Sequence, residues 1–448
     1  MIHLFVKHGV YFVLDVNSGS LHVLTRLAYD ILSVAGDCPD EMPERVRELA
    51  YPAAELEEAY EELLSLKAQG LLFAPELNVG FPKIEQVPVK AMCLHVAHDC
   101  NMRCRYCFAS AGEYNGCRSL MSADIGCKAI DFLLAHSASR RNLEVDFFGG
   151  EPLLAFDTVK AVTAYGNERA GELGKTIRFT MTTNGALLDD ETIRWLNENM
   201  FNVVLSLDGR RDVNDSMRHF VDGSGTYDAI VPAFRKLTSE RPSDKSCYVR
   251  GTFTRRNLDF AEDVLHMAEL GFTDVSVEPV SLPENDPISI RHEDVPAVCR
   301  EYDRLAAILA ARDDLNFFHF NVALDDGPCV YKRVKGCGAG SEYVAVTPNG
   351  DMYPCHQFAG EKDFLLGNVL TGFAEGSDKV RSAFLDTNIY TKPQCRDCFA
   401  KFFCGGGCCA ASYHDSGDIA GHSDIACELE RYRLECALYL QAVRENMT

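Results

Sequence analysis

Short apolar runs and the polar breaks between them organise the chain into three stretches. Val10 to Asp15 and Ser20 to Leu24 flank Asn17-Ser18-Gly19, a hairpin signal between strand-like segments. Leu56, Tyr60, Leu63, Leu64 and Leu66 form an apolar stripe that predicts a helix from Ala54 to Gln69, stopped by Gly70, with Leu71 to Ala74 returning as a strand. Pro75, Pro82 and Pro88 punctuate a linker. From Met92 to Arg312 strand-like and helix-like segments alternate. The strands are Cys93 to Ala97, Leu143 to Phe148, Thr176 to Thr183, Asn202 to Leu207, Tyr248 to Thr254 and Asp274 to Pro279. Helical patterns between them include Ser122 to His136 (with Ser122 as N-cap), Asp190 to Met200 and Thr226 to Leu237. Six such units in series predict an α/β fold with a parallel sheet, either open and doubly wound or curved into a partial barrel. In both, functional groups sit on loops leaving the C-terminal strand ends. Beyond Phe317 the periodicity weakens, leaving a hairpin-like piece at Tyr343 to Val346 with Pro348-Asn349-Gly350-Asp351, and a last helix from Ile425 to Val443. The expected units are 1–80, 90–315 and 325–448.

Composition narrows the class. The 448 residues are 47% hydrophobic and 25% charged, ordinary for a globular protein, and no apolar run approaches the ~18 residues of a membrane span. Met1 to Asp15 does not read as a signal peptide, so the expected location is the cytoplasm. A net charge of -22 disfavours nucleic acid and anionic lipid, leaving a peptide or protein as the expected macromolecular partner. Nineteen cysteines stand out, eight of them between Cys329 and Cys409. Disulfides are rare in a reducing compartment, so metal or cluster ligation leads. Cys38, Cys93, Cys117, Cys127, Cys247, Cys299 and Cys436 lie outside the ligand-like spacings and read as packing residues.

Cys100, Cys104 and Cys107, with Tyr106 before the last, have the spacing C-x3-C-x2-C directly after the first barrel strand. Three thiolates on one loop can hold three irons of a cubane and leave the fourth open; the plain alternative is three cysteines sharing a helical face. Gly149-Gly150-Glu151-Pro152 follows the second strand, a turn whose exposed backbone groups can grip an amino acid. Together these resemble the radical S-adenosylmethionine superfamily. The resemblance implies a partial (β/α)6 barrel and a [4Fe-4S] cluster on Cys100, Cys104 and Cys107, whose open iron chelates S-adenosylmethionine. It implies cofactor contacts at Tyr106, Gly149, Gly150 and Glu151, and an electron donor such as flavodoxin or ferredoxin. Thr183, Asn184, Ser206, Asp208 and Arg250, in or at the ends of the third to fifth strands, are further candidate contacts. Ser206 and Arg250 resemble the commonest ones, with a capping or structural polar role as the alternative for each.

Cys337, Cys355, Cys395, Cys398, Cys404, Cys408 and Cys427 fall in an order that resembles the SPASM domain; four of them in a zinc ribbon is the structural alternative. The resemblance implies two auxiliary [4Fe-4S] clusters, making three in all. Cys395, Cys398, Cys404 and Cys427 would bind one, and Cys337, Cys355 and Cys408 the other, with its fourth position filled by Cys329 or left for a substrate thiolate. Cys409 adds an ambiguity. The N-terminal stretch resembles a winged-helix-like module that pairs a leader peptide along a strand edge; simple packing or oligomerisation is the alternative. Asp15–Val23, His95–Ala109, Arg118–Met121, Val249–Thr254 and Gly336–Phe358 carry a resemblance of nearly the whole chain to the SCIFF (ranthipeptide) maturases. That implies thioether formation in a cysteine-rich precursor peptide. The nearest rival is a sulfatase-maturating enzyme making formylglycine, a group with an acidic base after the cysteine matching Cys355, where this chain has His356. A non-catalytic iron-sulfur or zinc peptide binder is a third reading.

Overall fold

Strand β1 (Ile2–Lys7) turns into β2 (Val10–Asp15) through His8 and Gly9, both at positive φ (48° and 82°), the two-residue turn that matches strand twist. With β3 (Leu21–Leu24) they form an antiparallel sheet in the order β1-β2-β3. Helices α1 (Arg26–Ala35), α2 (Glu44–Arg47) and α3 (Ala53–Ala68) cover one face, where Val13, Ile31, Leu56 and Leu63 are buried together. The expected strand at Leu71–Ala74 does not form. The Leu71 and Leu72 amides instead donate back to the Leu66 carbonyl, and Leu72 is buried in the module's core, so this apolar run seals the end of α3. The computed structural model describes residues 1–76, 80–114, 116, 118–324 and 330–447.

The second sheet is built on β4 (Ala91–His98), buried at all eight positions as a strand covered on both faces must be. A short β5 (Ser119–Leu120) pairs antiparallel with its end. Then β6 (Asn142–Gly149), β7 (Thr176–Thr183), β8 (Asn202–Ser206), β9 (Ser246–Phe253), β10 (Asp274–Pro279) and β11 (Asn316–Phe317) add outward from β4, all parallel and in chain order. From β4 to β11 the order never reverses, which sets aside the doubly wound alternative for these strands and gives a partial barrel. Between the strands lie α4 (Ala123–His136), α5 (Phe156–Glu172), α6 (Asp190–Asn199), α7 (Arg211–Met217), α8 (Tyr227–Ser239), α9 (Phe260–Glu269) and α10 (Val295–Ala310). Ser122 caps α4 by accepting from the Ile125 amide.

The C-terminal part, beginning with α11 (Val330–Lys335), extends this sheet. Strand β12 (Tyr343–Val346) pairs in parallel with β4, and β13 (Asp351–Tyr353), β14 (Gly367–Asn368) and β15 (Gly372–Phe373) continue antiparallel. Helices α12 (Ser377–Asp386), α13 (Pro393–Arg396), α14 (Lys401–Cys404) and α15 (Cys409–Ser416) follow, then the long α16 (Asp424–Arg444). Leu434, Leu438 and Ala442 of α16 bury Phe5, Phe12, Leu14 and Leu21 on the open face of the N-terminal sheet. Lys7 pairs with Asp303 and Glu435, and the His3 ring stacks on Phe399 at 3.5 Å.

Candidate active site

The chain leaves β4 at His98 into a loop without helix at its three cysteines, which sets aside the helical-face alternative. Backbone bonds hold that loop: the Arg103 amide donates to His219 and the Arg105 amide to Met217, both after β8. Cys100, Cys104 and Cys107 line one cavity of about 140 Å³ with Tyr106, Phe108, Phe148, Gly149, Gly150, Thr183, Asn184, Ser206 and Arg218. Burial pushes Cys100 up to about 12 and Cys104 to about 11, so both stay protonated until a metal displaces the proton. Sulfur acceptors are already served: the Met102 amide reaches Cys100 Sγ at 3.4 Å, Asn184 Nδ2 reaches it at 3.6 Å, and Arg218 Nη1 lies 3.9 Å from Cys104 Sγ. Three thiols converging on a cavity, with donors aimed at the sulfurs, fit an iron-sulfur cluster.

The Gly149-Gly150 turn is sewn to the cysteine loop. Gly150 N–H donates to Ala97 at 2.7 Å and Glu151 N–H to Asp99 at 2.9 Å. A Cβ on Gly149 would sit 2.2 Å from the Ala97 oxygen, and one on Gly150 2.0 Å from that of Asp99. The close approach that demands glycine is therefore to the chain's own backbone. Glu151 is fully buried and does not line the cavity; its carboxylate accepts from Thr183 Oγ1 (2.7 Å), Asn184 N–H (2.8 Å) and Leu153 N–H (3.0 Å). It orients the β7 end that does line it.

Asp208 also stays behind the wall. It accepts from Tyr106 Oη (2.6 Å), Arg218 Nε (3.1 Å) and Thr252 N–H (3.0 Å), a brace joining the cysteine loop, the segment after α7, and β9. Arg250 pairs with Glu278 outside the cavity, while Ser206 lines it. Arg218 was not among the expected site residues, because a lone arginine after a helix carries no spacing signal. A cluster of His95, His98, Tyr114, Phe148 and His356 was missed too. The His95 and His98 rings meet at 3.1 Å, Tyr114 stacks on His98, and Phe148 lies 5.1 Å from His356. Burial holds His98 and His356 near 4, hence neutral.

The later cysteines gather in two neighbourhoods. Burial raises Cys404 to about 12, with Glu430, Cys427 and Cys395 adding to it, and Cys427 is raised by burial with Cys395 and Cys398 adding. Burial likewise raises Cys355, with Cys408 and Cys337 adding. Cys409 lies with Cys337 and Cys408. Among the described residues no three His, Cys, Asp or Glu side chains close around one ion, as a zinc ribbon requires. Cys329 and Cys117 lie outside the described residues.

A parallel partial barrel, a three-cysteine loop after its first strand and a cysteine-dense domain grafted onto the same sheet define a class of cluster-dependent enzyme. Residues 94–268 match the Radical SAM superfamily and residues 337–399 the SPASM iron-sulfur cluster-binding domain, so this is a radical S-adenosylmethionine enzyme with a SPASM domain. The first domain binds S-adenosylmethionine and a [4Fe-4S] cluster, and the second binds auxiliary iron-sulfur clusters. A cysteine-type anaerobic sulfatase-maturating enzyme of Clostridium novyi (strain NT) is 22% identical over 69% of this chain and 85% of its own length. The structure of native anSMEcpe with bound AdoMet superposes with a TM-score of 0.66 at 18% identity, covering 80% of this chain and all of that one. Streptococcus suis SuiB bound to its precursor peptide SuiA superposes with a TM-score of 0.53 at 16% identity, covering 95% and 98%. Among the described residues no helix is long and apolar enough to cross a membrane.

Proposed function

We propose that the chain is a peptide maturase that joins a cysteine sulfur to a carbon of an acceptor residue in a cysteine-rich precursor. The observation that carries this reading is the outer edge of β3, which pairs with no other strand among the described residues and can take an extended leader peptide by strand addition. Barrel, SPASM domain and this module together correspond in fold to a neighbour solved with its precursor peptide.

Cys100, Cys104 and Cys107 would hold the [4Fe-4S] cluster, which would supply the electron for reductive cleavage of S-adenosylmethionine. The protein's own part is to hold the loop and line the cavity. Glu151 fixes the Thr183–Asn184 corner, and Asp208, through Tyr106 and Arg218, fixes the cysteine loop. Phe108 and Phe148 give the cavity an apolar lining, and Phe108 is itself exposed at the mouth. His356, neutral between Phe108 and Phe148, leaves the position after Cys355 without a carboxylate, which favours thioether formation over formylglycine.

Anaerobically reconstituted enzyme is incubated with a cysteine-rich peptide and the product weighed. Loss of two hydrogens per bond, with the thiol closed to alkylation, is expected; an aldehyde would replace this reading with the sulfatase-maturating one. The triple change Cys100→Ala, Cys104→Ala, Cys107→Ala abolishes cleavage of S-adenosylmethionine while the auxiliary iron remains.

A further inference from the structure

Lys392 and Lys335 are buried among the later cysteines, 2% and 5% exposed. Lys392 Nζ donates to the Gly406 carbonyl at 2.9 Å, and Lys335 Nζ to the Thr387 carbonyl at 2.9 Å. Among the described residues neither has a carboxylate within 4.0 Å, whereas equally buried Lys401 reaches Glu76 at 3.0 Å. A buried ammonium served only by a carbonyl is expensive, and such charges are found with an opposite charge beside them. For Lys335, Asp386 contributes part of that charge alongside Cys409 and Cys337; for Lys392 the groups at hand that can carry it are the cysteines beside it. The Lys392 carbonyl accepts from the Cys395 N–H at 3.0 Å, and its charge lowers Cys395 and Cys427 in one neighbourhood and Cys408 and Cys409 in the other. Gly406, which holds it, stands between Cys404 and Cys408 in the chain, one from each neighbourhood.

We propose that Lys392 is a positioning residue shared by the two auxiliary centres, a resident counter-charge that raises the reduction potential of both. A cluster bound by thiolates is anionic and gains another negative charge on reduction, so a fixed cation nearby favours the reduced state. Standing between the two sets, one lysine acts on both potentials together. This goes beyond the peptide reading and requires no peptide to test.

The measurement is an EPR-monitored redox titration of reconstituted holoenzyme with iron and sulfide counted. Lys392→Gln keeps a donor for the Gly406 carbonyl and removes the charge; Lys392→Arg keeps the charge. In Lys392→Gln both auxiliary midpoints are expected to move to more negative values, while the cluster on Cys100, Cys104 and Cys107 keeps its own; Lys392→Arg returns both toward wild type. Should Lys392→Gln fold but load no auxiliary iron while Lys392→Arg loads fully, the charge requirement stands. Unchanged midpoints, a shift in one centre alone, or equal loss of iron in both variants overturns the proposal.

Discussion

Glu151 shows how much of the cavity depends on a residue that never enters it. Its two oxygens take three donors, two of them the backbone N–H groups of Leu153 and Asn184. In Glu151→Gln, whichever way the amide is turned, one of those N–H groups faces an NH2. A buried donor left unpaired costs about 1–3 kcal/mol, so the variant should melt several degrees lower and cleave S-adenosylmethionine more slowly; wild-type values for both would remove Glu151 from the framework. The cysteines give a pH prediction for cluster-free protein. Folding raises Cys100 and Cys104 above the ordinary thiol value of 9.0, to about 12 and about 11. Stability from these groups is whole below pH 9 and lost as pH rises toward 11 to 12, because the unfolded thiols ionise first. Melting temperature should fall over that window, and a flat profile would contradict the burial described. At this scale the metal-type residues were legible because spacing is a sequence property. Arg218, Asp208 as a brace, and the His95–His98–Tyr114 cluster were not, since their roles arise only when separate strands bring them together.

At the scale of elements, the six central strands and the helices between them were readable, because each buries a face that its own periodicity marks. Where reading failed, the cause is local. β1 carries no such mark although His8-Gly9 is a hairpin turn, its Lys7 and His3 reading as polar until α10 and α16 supply partners. Leu71–Ala74 was apolar for a helix end, not for a strand. In the proposed function β3 is the strand that takes the peptide, and consecutive residues of such a strand turn their N–H groups alternately toward the partner and away. Proline at whichever of His22 and Val23 faces outward removes a donor from the free edge and spares the ladder to β2. That variant should keep its melting temperature and bind a precursor peptide about tenfold more weakly, the worth of one hydrogen bond. Proline at the other position should cost stability first. Wild-type affinity in the outward variant would end the strand-addition reading.

Across the whole molecule, no unit closes its core alone. The N-terminal sheet is capped on one face by its own helices and on the other by Leu434, Leu438 and Ala442. Deleting residues 1–80 should therefore give aggregated protein on size-exclusion chromatography; a monodisperse remainder melting at the wild-type temperature would refute that dependence. The sequence marked the three stretches by composition but held no sign that they interlock, since the joining contacts link residues hundreds of positions apart. The parallel pairing of β12 with β4 has a further consequence. Cys107 and Cys355 pack into one apolar cluster with Tyr114 between their home segments, and both segments hang from that shared ladder. The spacing between the barrel's cysteine loop and the cysteine-rich part is thus set by paired backbone and not by a linker.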